Sequence, residues 1–552
     1  MTRRSLITIF LLSLLLFDSA NARSSFLAQI ASQPSVVSKR PANAEDDGTV
    51  VARIKDEALN RSKLMENLSY LTEVIGPRPT NSPNFRRAAA WTRDKLASWG
   101  LAGAHLEPWG PFGKGWSLQR FSAQVIEPQS IPLIAYPKAW SPGTQGEFVG
   151  EAVYFDATTD ADLRKYKGKL RGKIVLTDPL RPVEANFKPL ATRWTTEDML
   201  KFANDEPYPP DNPVLAQPQT QAQTAATKFA AEKLVFLAAE GAGLLLEPSG
   251  IADGGTIAVM GAVVPQPFDT PRNKRIQPWA ANAPKIAPQI VVAAEHYNRM
   301  VRMIQQGEKL KIAVDLSVRF HDEDLMSTHT IAEIPGSDLK DEVVMIGAHL
   351  DSWHAGAGAT DNGAGVAVMM ETVRILQELN LRPRRTIRIA LWGGEEVAGG
   401  SRFYVDQHLA RWDTEAGAGS RKLVSTPEYD KFSAYFNFDA GTGRVRGVFL
   451  GGNEALRRIF HPWLKPFAEM GASTLTINGD WGSDFFWFEQ VGLPVVNFIQ
   501  DEIEYETRTH HTNQDVLDRI QPDDLKQAAA IMTYFVYQTA MRNEKLPRKP
   551  AK

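Results

Sequence analysis

The stretch Val343-Val344-Met345-Ile346-Gly347-Ala348-His349-Leu350-Asp351-Ser352-Trp353 decides how this chain is read. Residues 343–348 carry no polar side chain, as a strand buried on both faces requires, and the run stops at His349 and Asp351. After it, Val366, Met369, Met370, Val373 and Leu376 recur at helical spacing. In 386–392, Ile387, Ile389 and Leu391 alternate with Arg388, Ala390 and Trp392, and this second strand runs into Gly393-Gly394-Glu395-Glu396. Short strands also fit 434–438, which leads to Asp439, and 495–499, which an acidic loop connects to His510-His511-Thr512. A last helix fits 522–541. Strands alternating with helices predict an α/β fold, a mostly parallel mixed sheet flanked by helices.

In open sheets of this kind the ligand site lies beyond the carboxyl ends of the strands. Four separate segments deliver His349, Glu395 with Glu396, Asp439 and His511 to that edge, and Asp361 stands on the loop leaving the first strand. Each piece alone is weak. Asp361-Asn362-Gly363-Ala364-Gly365 also reads as a turn that caps a helix, and paired glutamates usually form a solvated patch. Their convergence is the signal, and it points to metal. The chain has no cysteine, so thiolate sites and thiol nucleophiles are excluded and any ion must be held by His, Asp and Glu. That donor set suits zinc, with manganese or cobalt as substitutes. Two histidines and three carboxylates exceed the three protein ligands of a single catalytic zinc and suit two ions about 3.5–4 Å apart. A neighbouring unliganded carboxylate can then move protons, so the adjacent glutamates divide the work of base and ligand.

Around this centre, 552 residues are too many for one core and predict more than one domain. A net charge of -2 excludes a dominant nucleic-acid surface. Arg3 and Arg4, the apolar run 6–17 and Ala20-Asn21-Ala22 have the layout of a secretory signal over 1–22, which predicts a secreted or periplasmic protein. A polar tether with Pro34 and Pro41 follows over 23–48. No other stretch has the apolar length of a spanning helix, so no membrane span is expected once the signal is removed. Leu64, Leu68, Leu71 and Ile75 predict a helix stopped by Gly76-Pro77, and 85–99 predicts another. Residues 126–320 are β-rich and proline-rich, with strands expected at 172–177 and 241–246, a helix over 228–240 and loops at 207–212 and 265–279. They read as a domain inserted into a discontinuous one made of 49–125 and 321–545.

The runs His349-Leu350-Asp351-Ser352-Trp353, Asp361-Asn362-Gly363-Ala364-Gly365, Glu395-Glu396, Asp439-Ala440-Gly441 and His511-Thr512-Asn513-Gln514-Asp515 resemble, in order, those of the co-catalytic zinc exopeptidases. That family includes bacterial leucyl aminopeptidase, glutamate carboxypeptidase and carboxypeptidase Q. The likeness is greatest to the carboxypeptidase Q group, through Gly76-Pro77-Arg78 and His105-Leu106-Glu107-Pro108 as well. It implies two zinc ions per chain, one held by His349 and Asp439, the other by Glu396 and His511, with Asp361 bridging. Glu395 would be the general base. Asp351 would orient His349, and His510 would stand where many relatives place an oxyanion-binding tyrosine. A cis Asp361–Asn362 bond is also implied, and His354 is read as non-ligating. The inserted segment resembles a protease-associated domain in 169–176 and 238–243, which would cover the site and limit it to dipeptides or short peptides. A homodimer is implied too.

Alternatives remain open at this point. They are an aminopeptidase acting on longer peptides, a glutaminyl cyclase-like transferase, and a receptor-like binding protein without catalysis. Cyclases of this kind lack the first histidine, which is present here. A serine hydrolase is excluded by the absence of a Gly-x-Ser-x-Gly elbow. Asp484 and the acidic loop 501–506 could receive a substrate amino group, or be ordinary surface.

Overall fold

In the computed structural model, which describes residues 47–206, 220–413, 422–480 and 482–549, the apolar run becomes the strand Leu339–His349 at the heart of an eight-stranded sheet. The signal segment and nearly all of the tether lie outside the described residues, as does the expected loop 207–212; the helix Asp47–Asn60 begins inside the expected tether. Leu339–His349 lies parallel to Arg385–Trp392 on one side and to Phe432–Asn437 on the other, and Val495–Gln500 runs parallel beyond that. The chain thus reverses its direction of strand addition beside Leu339–His349. Such a reversal opens a crevice at the carboxyl edge. The remaining strands make the sheet mixed. Ser327–Ile334 and Ala102–Trp109 pair antiparallel at one end, Val445–Phe449 pairs antiparallel with Val495–Gln500, and Thr474–Thr476 closes the other end.

Both faces are covered. On one, Ala364–Glu378 and Pro522–Met541 are buried almost all round, with Asp47–Asn60 and Leu64–Ser69 against them, while Pro83–Ser98 packs directly on Ser327–Ile334 and Ala102–Trp109. The predicted helix from Leu64 starts as α and widens to a π-turn over Tyr70–Ile75, then stops at Gly76 with φ of 82°. Pro83–Ser98 is capped by Ser82, whose hydroxyl accepts from Phe85 N at 3.1 Å. On the other face Tyr404, Phe432, Tyr435, Phe485 and Phe488 form an aromatic layer under Trp392.

The second eight-stranded sheet begins at Gly115, not at 126. Gly115–Glu127 pairs along its length with Lys311–His321, a long-range antiparallel contact that local composition does not reveal. The chain leaves the first sheet at Trp109 and returns at Ser327, and these two residues are partners in one antiparallel register. The inserted domain therefore occupies the place of a hairpin turn. Between Ile174–Leu176 and Gln221–Glu240 it sends out an excursion carrying the helix Thr196–Asn204, which lies against Thr474–Thr476 of the first sheet.

Burial of the helix Ala364–Glu378 encloses charge. Arg374 donates to Glu371 at 2.9 Å twice and to Glu57 of the outer helix at 2.9 Å. Removing the guanidinium leaves buried Glu371 with only the main-chain N–H of Lys63 and Glu57 with Arg61, so Arg374→Ala should cost about 3 kcal/mol. A urea midpoint equal to wild type would show that the network contributes nothing.

Candidate metal centre

The strand Leu339–His349 ends on a site residue, and the loops that follow the other three parallel strands carry Glu395 with Glu396, Asp439 and His511. His349 is the last residue of Leu339–His349, and its Nδ1 lies 3.0 Å from the main-chain oxygen of Asp351. That contact places the proton on Nδ1 and leaves Nε2 as the donor to an ion. The Asp351 carboxylate was expected to do this, but it lies 3.7 Å from Nδ1. It accepts instead from Thr80 Oγ1 at 2.6 Å and from the main-chain N–H of Glu395 at 3.3 Å. Asp351 thus orients His349 through its backbone and ties the Glu395 turn through its side chain.

The loop from His349 to Asp361 is held by Arg78, which is wholly buried. Its guanidinium donates to the carbonyls of Leu350 at 2.8 Å, Gly76 at 3.0 Å, Ala357 at 2.8 Å and Gly358 at 3.0 Å. Burial lowers its pKa to about 10, while Asp515, Asp351, Asp361 and Glu396 act to raise it, so it stays charged at neutral pH. Sequence reading noted Gly76-Pro77-Arg78 without giving Arg78 a role. Nothing local distinguishes a buried arginine from an exposed one.

The Asp361–Asn362 bond is cis. Asp515 holds this turn by accepting from Thr360 N at 2.6 Å and Asp361 N at 3.2 Å. Asn362 donates to Phe438 O at 2.9 Å and accepts from Gly365 N at 2.9 Å. A Cβ at Gly365 would sit 2.2 Å from Asn362 Oδ1, which fixes glycine there. Gly394, with φ of 91°, turns the chain into the short helix Glu395–Ala398.

The resulting geometry is a pair of triangles with one shared corner. His349 Nε2 lies 3.1 Å from Asp361 Oδ1 and 3.3 Å from Asp439 Oδ1. His511 Nε2 lies 3.3 Å from Asp361 Oδ2 and 3.2 Å from Glu396 Oε2. Ligands about 2.1 Å from a tetrahedral ion stand about 3.4 Å apart, and these four contacts have that spacing; His349, Asp361 and Asp439 offer atoms all within 4.8 Å of one another, and so do Asp361, His510 and His511. Asp361 Oδ2, Glu396 Oε1 and Asp439 Oδ1 are buried oxygens that make no hydrogen bond. Oxygen and imidazole donors without sulfur complete the fit to zinc or a similar divalent ion.

The electrostatics agree. Burial opposes the charged form of His349, yet Asp439 and Asp361 hold it well above the usual imidazole range. Burial likewise works against His511, and Asp361 and Glu396 push it up to about 11. Desolvation carries the Glu395 carboxyl well above its usual range against the pull of His349, with Asp439, Asp484 and Glu396 adding to the rise. The crevice collects cationic charge.

His510 lies beside His511, with ring centroids 3.9 Å apart, and belongs with Asp361 and His511 to one cluster of possible ligands. Its Nε2 is 3.9 Å from Asp361 Oδ2, its Nδ1 is 3.6 Å from Glu506, and its ring stacks on Tyr505 at 4.8 Å. His354 lies outside the centre, with Nε2 2.7 Å from Pro137 O and its ring against Trp116. Asp484 is buried, with neither carboxylate oxygen hydrogen-bonded. Within the acidic loop, Asp501 is paired with Arg193 and Arg446, and Glu504 with Arg508 and Arg519. Neither Asp501 nor Glu504 is a free receptor for an amino group.

A family model described as peptidase family M28 matches residues 329–536. Carboxypeptidase Q of Mus musculus is 26% identical over 508 residues, covering 92% of each chain, and that of Homo sapiens is 26% identical, covering 89% of this chain and 88% of its own. Among solved structures, a peptidase M28 precursor from Shewanella amazonensis superposes with a TM-score of 0.61 at 23% identity, covering 92% of this chain and 99% of its own. A zinc aminopeptidase from Bacillus subtilis gives 0.52 at 17% identity, covering 87% and 96%. At those identities the two structures establish the fold.

Ser483 Oγ donates to Asp439 Oδ2 at 2.6 Å, which turns Oδ1 towards His349. Loss of such a supporting bond typically weakens metal binding 10–100-fold, roughly the effect expected of Ser483→Ala in a chelator competition. Unchanged affinity would remove Ser483 from the centre.

Proposed function

Because a model of peptidase family M28 matches residues 329–536 and the site's donors fit that family, we propose that the chain is a two-zinc exopeptidase that hydrolyses dipeptides or short peptides. One observation carries this reading: the Asp361 carboxylate presents one oxygen to each histidine, 3.1 Å from His349 and 3.3 Å from His511. A carboxylate so placed joins two sites. His349 and Asp439 hold one ion, Glu396 and His511 the other. Bound there, zinc supplies Lewis acidity towards the scissile carbonyl and lowers the pKa of water to about 7.

The chain's own groups do the rest. Glu395 opens the short helix Glu395–Ala398 directly before the ligand Glu396, and its raised pKa suits a base that accepts a proton from the attacking water and returns it to the leaving amine. His510, beside Asp361 but outside the ligand triangles, is placed to donate to the developing oxyanion. The inserted β-rich domain, read as protease-associated, covers the crevice and excludes folded proteins. The relatives named carboxypeptidase Q favour an exopeptidase reading. The charged and apolar layout of residues 1–22 supports export to the periplasm or outside the cell, and a homodimer is the expected assembly.

The decisive experiment measures zinc content and hydrolysis of a dipeptide panel, including N-blocked and C-amidated forms, for wild type and Glu395→Ala. About two zinc per chain in both, with kcat of the variant down by 10⁴-fold or so, supports the mechanism. The blocked end that abolishes cleavage identifies the terminus recognised. A metal-loaded wild type inert on every peptide would overturn the peptide reading, and efficient cleavage within a folded protein would overturn the covering role.

A further inference from the structure

His511 sits in a segment with little regular structure of its own. Between Val495–Gln500 and Pro522–Met541 the described chain has only a π-turn, Tyr505–Thr509, and a 3-10 turn, Leu517–Arg519. His511 itself has φ of 59°, a left-handed conformation that a non-glycine residue holds only when its surroundings impose it. Two parts of the inserted domain supply those surroundings, one on each side.

Upstream, the excursion of the inserted domain lies along the loop. Thr192 and Ile503 exchange main-chain hydrogen bonds, each 2.9 Å, and Thr507 Oγ1 donates to Leu190 O at 2.7 Å. Arg193 Nη1 fixes this contact by donating to Asp501 at 2.8 Å and Asp524 at 2.7 Å. Downstream, residues 257–259 take the other side. Val259 N donates to the carbonyl of His511 at 3.0 Å, Asn513 N to Ile257 O at 3.0 Å, and Ile257 N to Asn513 Oδ1 at 2.8 Å. The main-chain bonds that His511 and Asn513 make to other segments run to the inserted domain.

We propose that the inserted domain is a positioning element of the metal centre: residues 190–193 and 257–259 clamp the loop 501–513 and hold His511 in reach of Glu396 and Asp361. Arg193 is the positioning residue on which the upstream side depends. The idea rests on the two-ion reading for its consequence, since a loosened loop withdraws one ligand of one ion, but the clamp itself is a property of the polypeptide. Covering the site and completing it become one function, because an inserted domain that lifts away also releases His511.

The test uses the full chain and reads three quantities. These are hydrogen–deuterium exchange of 501–513 in the metal-free protein, zinc affinity by chelator competition, and kcat and KM on a cleaved dipeptide. Arg193→Ala leaves Asp501 with Arg446 and Asp524 with Arg444, so the fold is retained. It should raise exchange in 501–513 at least tenfold, weaken one of the two zinc ions at least tenfold and lower kcat with little change in KM. Arg193→Lys, which keeps one charge without the fork, should fall between the two. Tyr166→Phe, which removes a hydroxyl bonded to Asp156 elsewhere in the inserted domain, should leave all three at wild-type values. Asn513→Ala attacks the downstream side and should loosen 511–513 even if Arg193→Ala fails to fold. Wild-type exchange in both variants overturns the proposal, as does an equal effect from Tyr166→Phe. If wild type holds no zinc, the two-ion reading fails while the exchange measurement still decides the clamp.

Discussion

Asp351, Asp361, Glu395, Glu396, Asp439, Asp484 and Asp515 converge at the carboxyl edge of one sheet, most of them buried, and that charge must be balanced for the fold to exist. Two carboxylates about 4 Å apart repel by roughly 4 kcal/mol at an effective dielectric near 20. The chain provides little fixed counter-charge. Arg78 lies beneath the cluster, but its donors are all directed at carbonyls rather than at carboxylates. It contributes field without closing an ion pair, so it leaves the carboxylate oxygens open towards the crevice. His349 and His511 complete the balance, and their raised pKa values record how strongly the cluster favours a cation at these positions.

That constraint explains why so much of the surrounding structure consists of main-chain fastening. Asp515 takes the N–H groups of Thr360 and Asp361, Asn362 joins the turn to Phe438, and Asp351 ties the Glu395 turn. Each fastening holds a ligand-bearing turn against repulsion from its neighbours. The aromatic layer does the same from below. Trp392 Nε1 donates to Tyr435 Oη at 2.7 Å, Tyr435 to Asn437 Oδ1 at 2.9 Å, and Asn437 Nδ2 lies 3.3 Å from Ser483 Oγ, which in turn bonds Asp439.

What sequence could reveal follows from how local each feature is. The central strands were legible because burial on both faces leaves an unbroken apolar run, and 343–348 shows one. The ligand positions were legible because they directly follow such runs. Arg78, the backbone role of Asp351 and the fastening by Asn362 were not, since each depends on a partner hundreds of residues away or on a carbonyl common to every residue. The start of the second sheet at Gly115 was hidden for the same reason, as its partner lies at His321. The helix Thr196–Asn204 was missed although it is amphipathic, because it is only nine residues long and stands within an irregular, proline-rich stretch.

The placement of the inserted domain joins these threads. It leaves and re-enters through two adjacent strands, paired at Trp109 and Ser327, so a two-stranded neck connects it to the first sheet. Trp109 rests against Gly394, where a Cβ would come within 2.5 Å of the indole, directly before Glu395. The neck therefore abuts the turn that carries Glu395, while the excursion and residues 257–259 bond to the loop that carries His511. A domain attached at the neck alone could swing as a passive cover. Attached at three places, one beside the Glu395 turn and two on the loop that carries His511, it would move only by disturbing these residues.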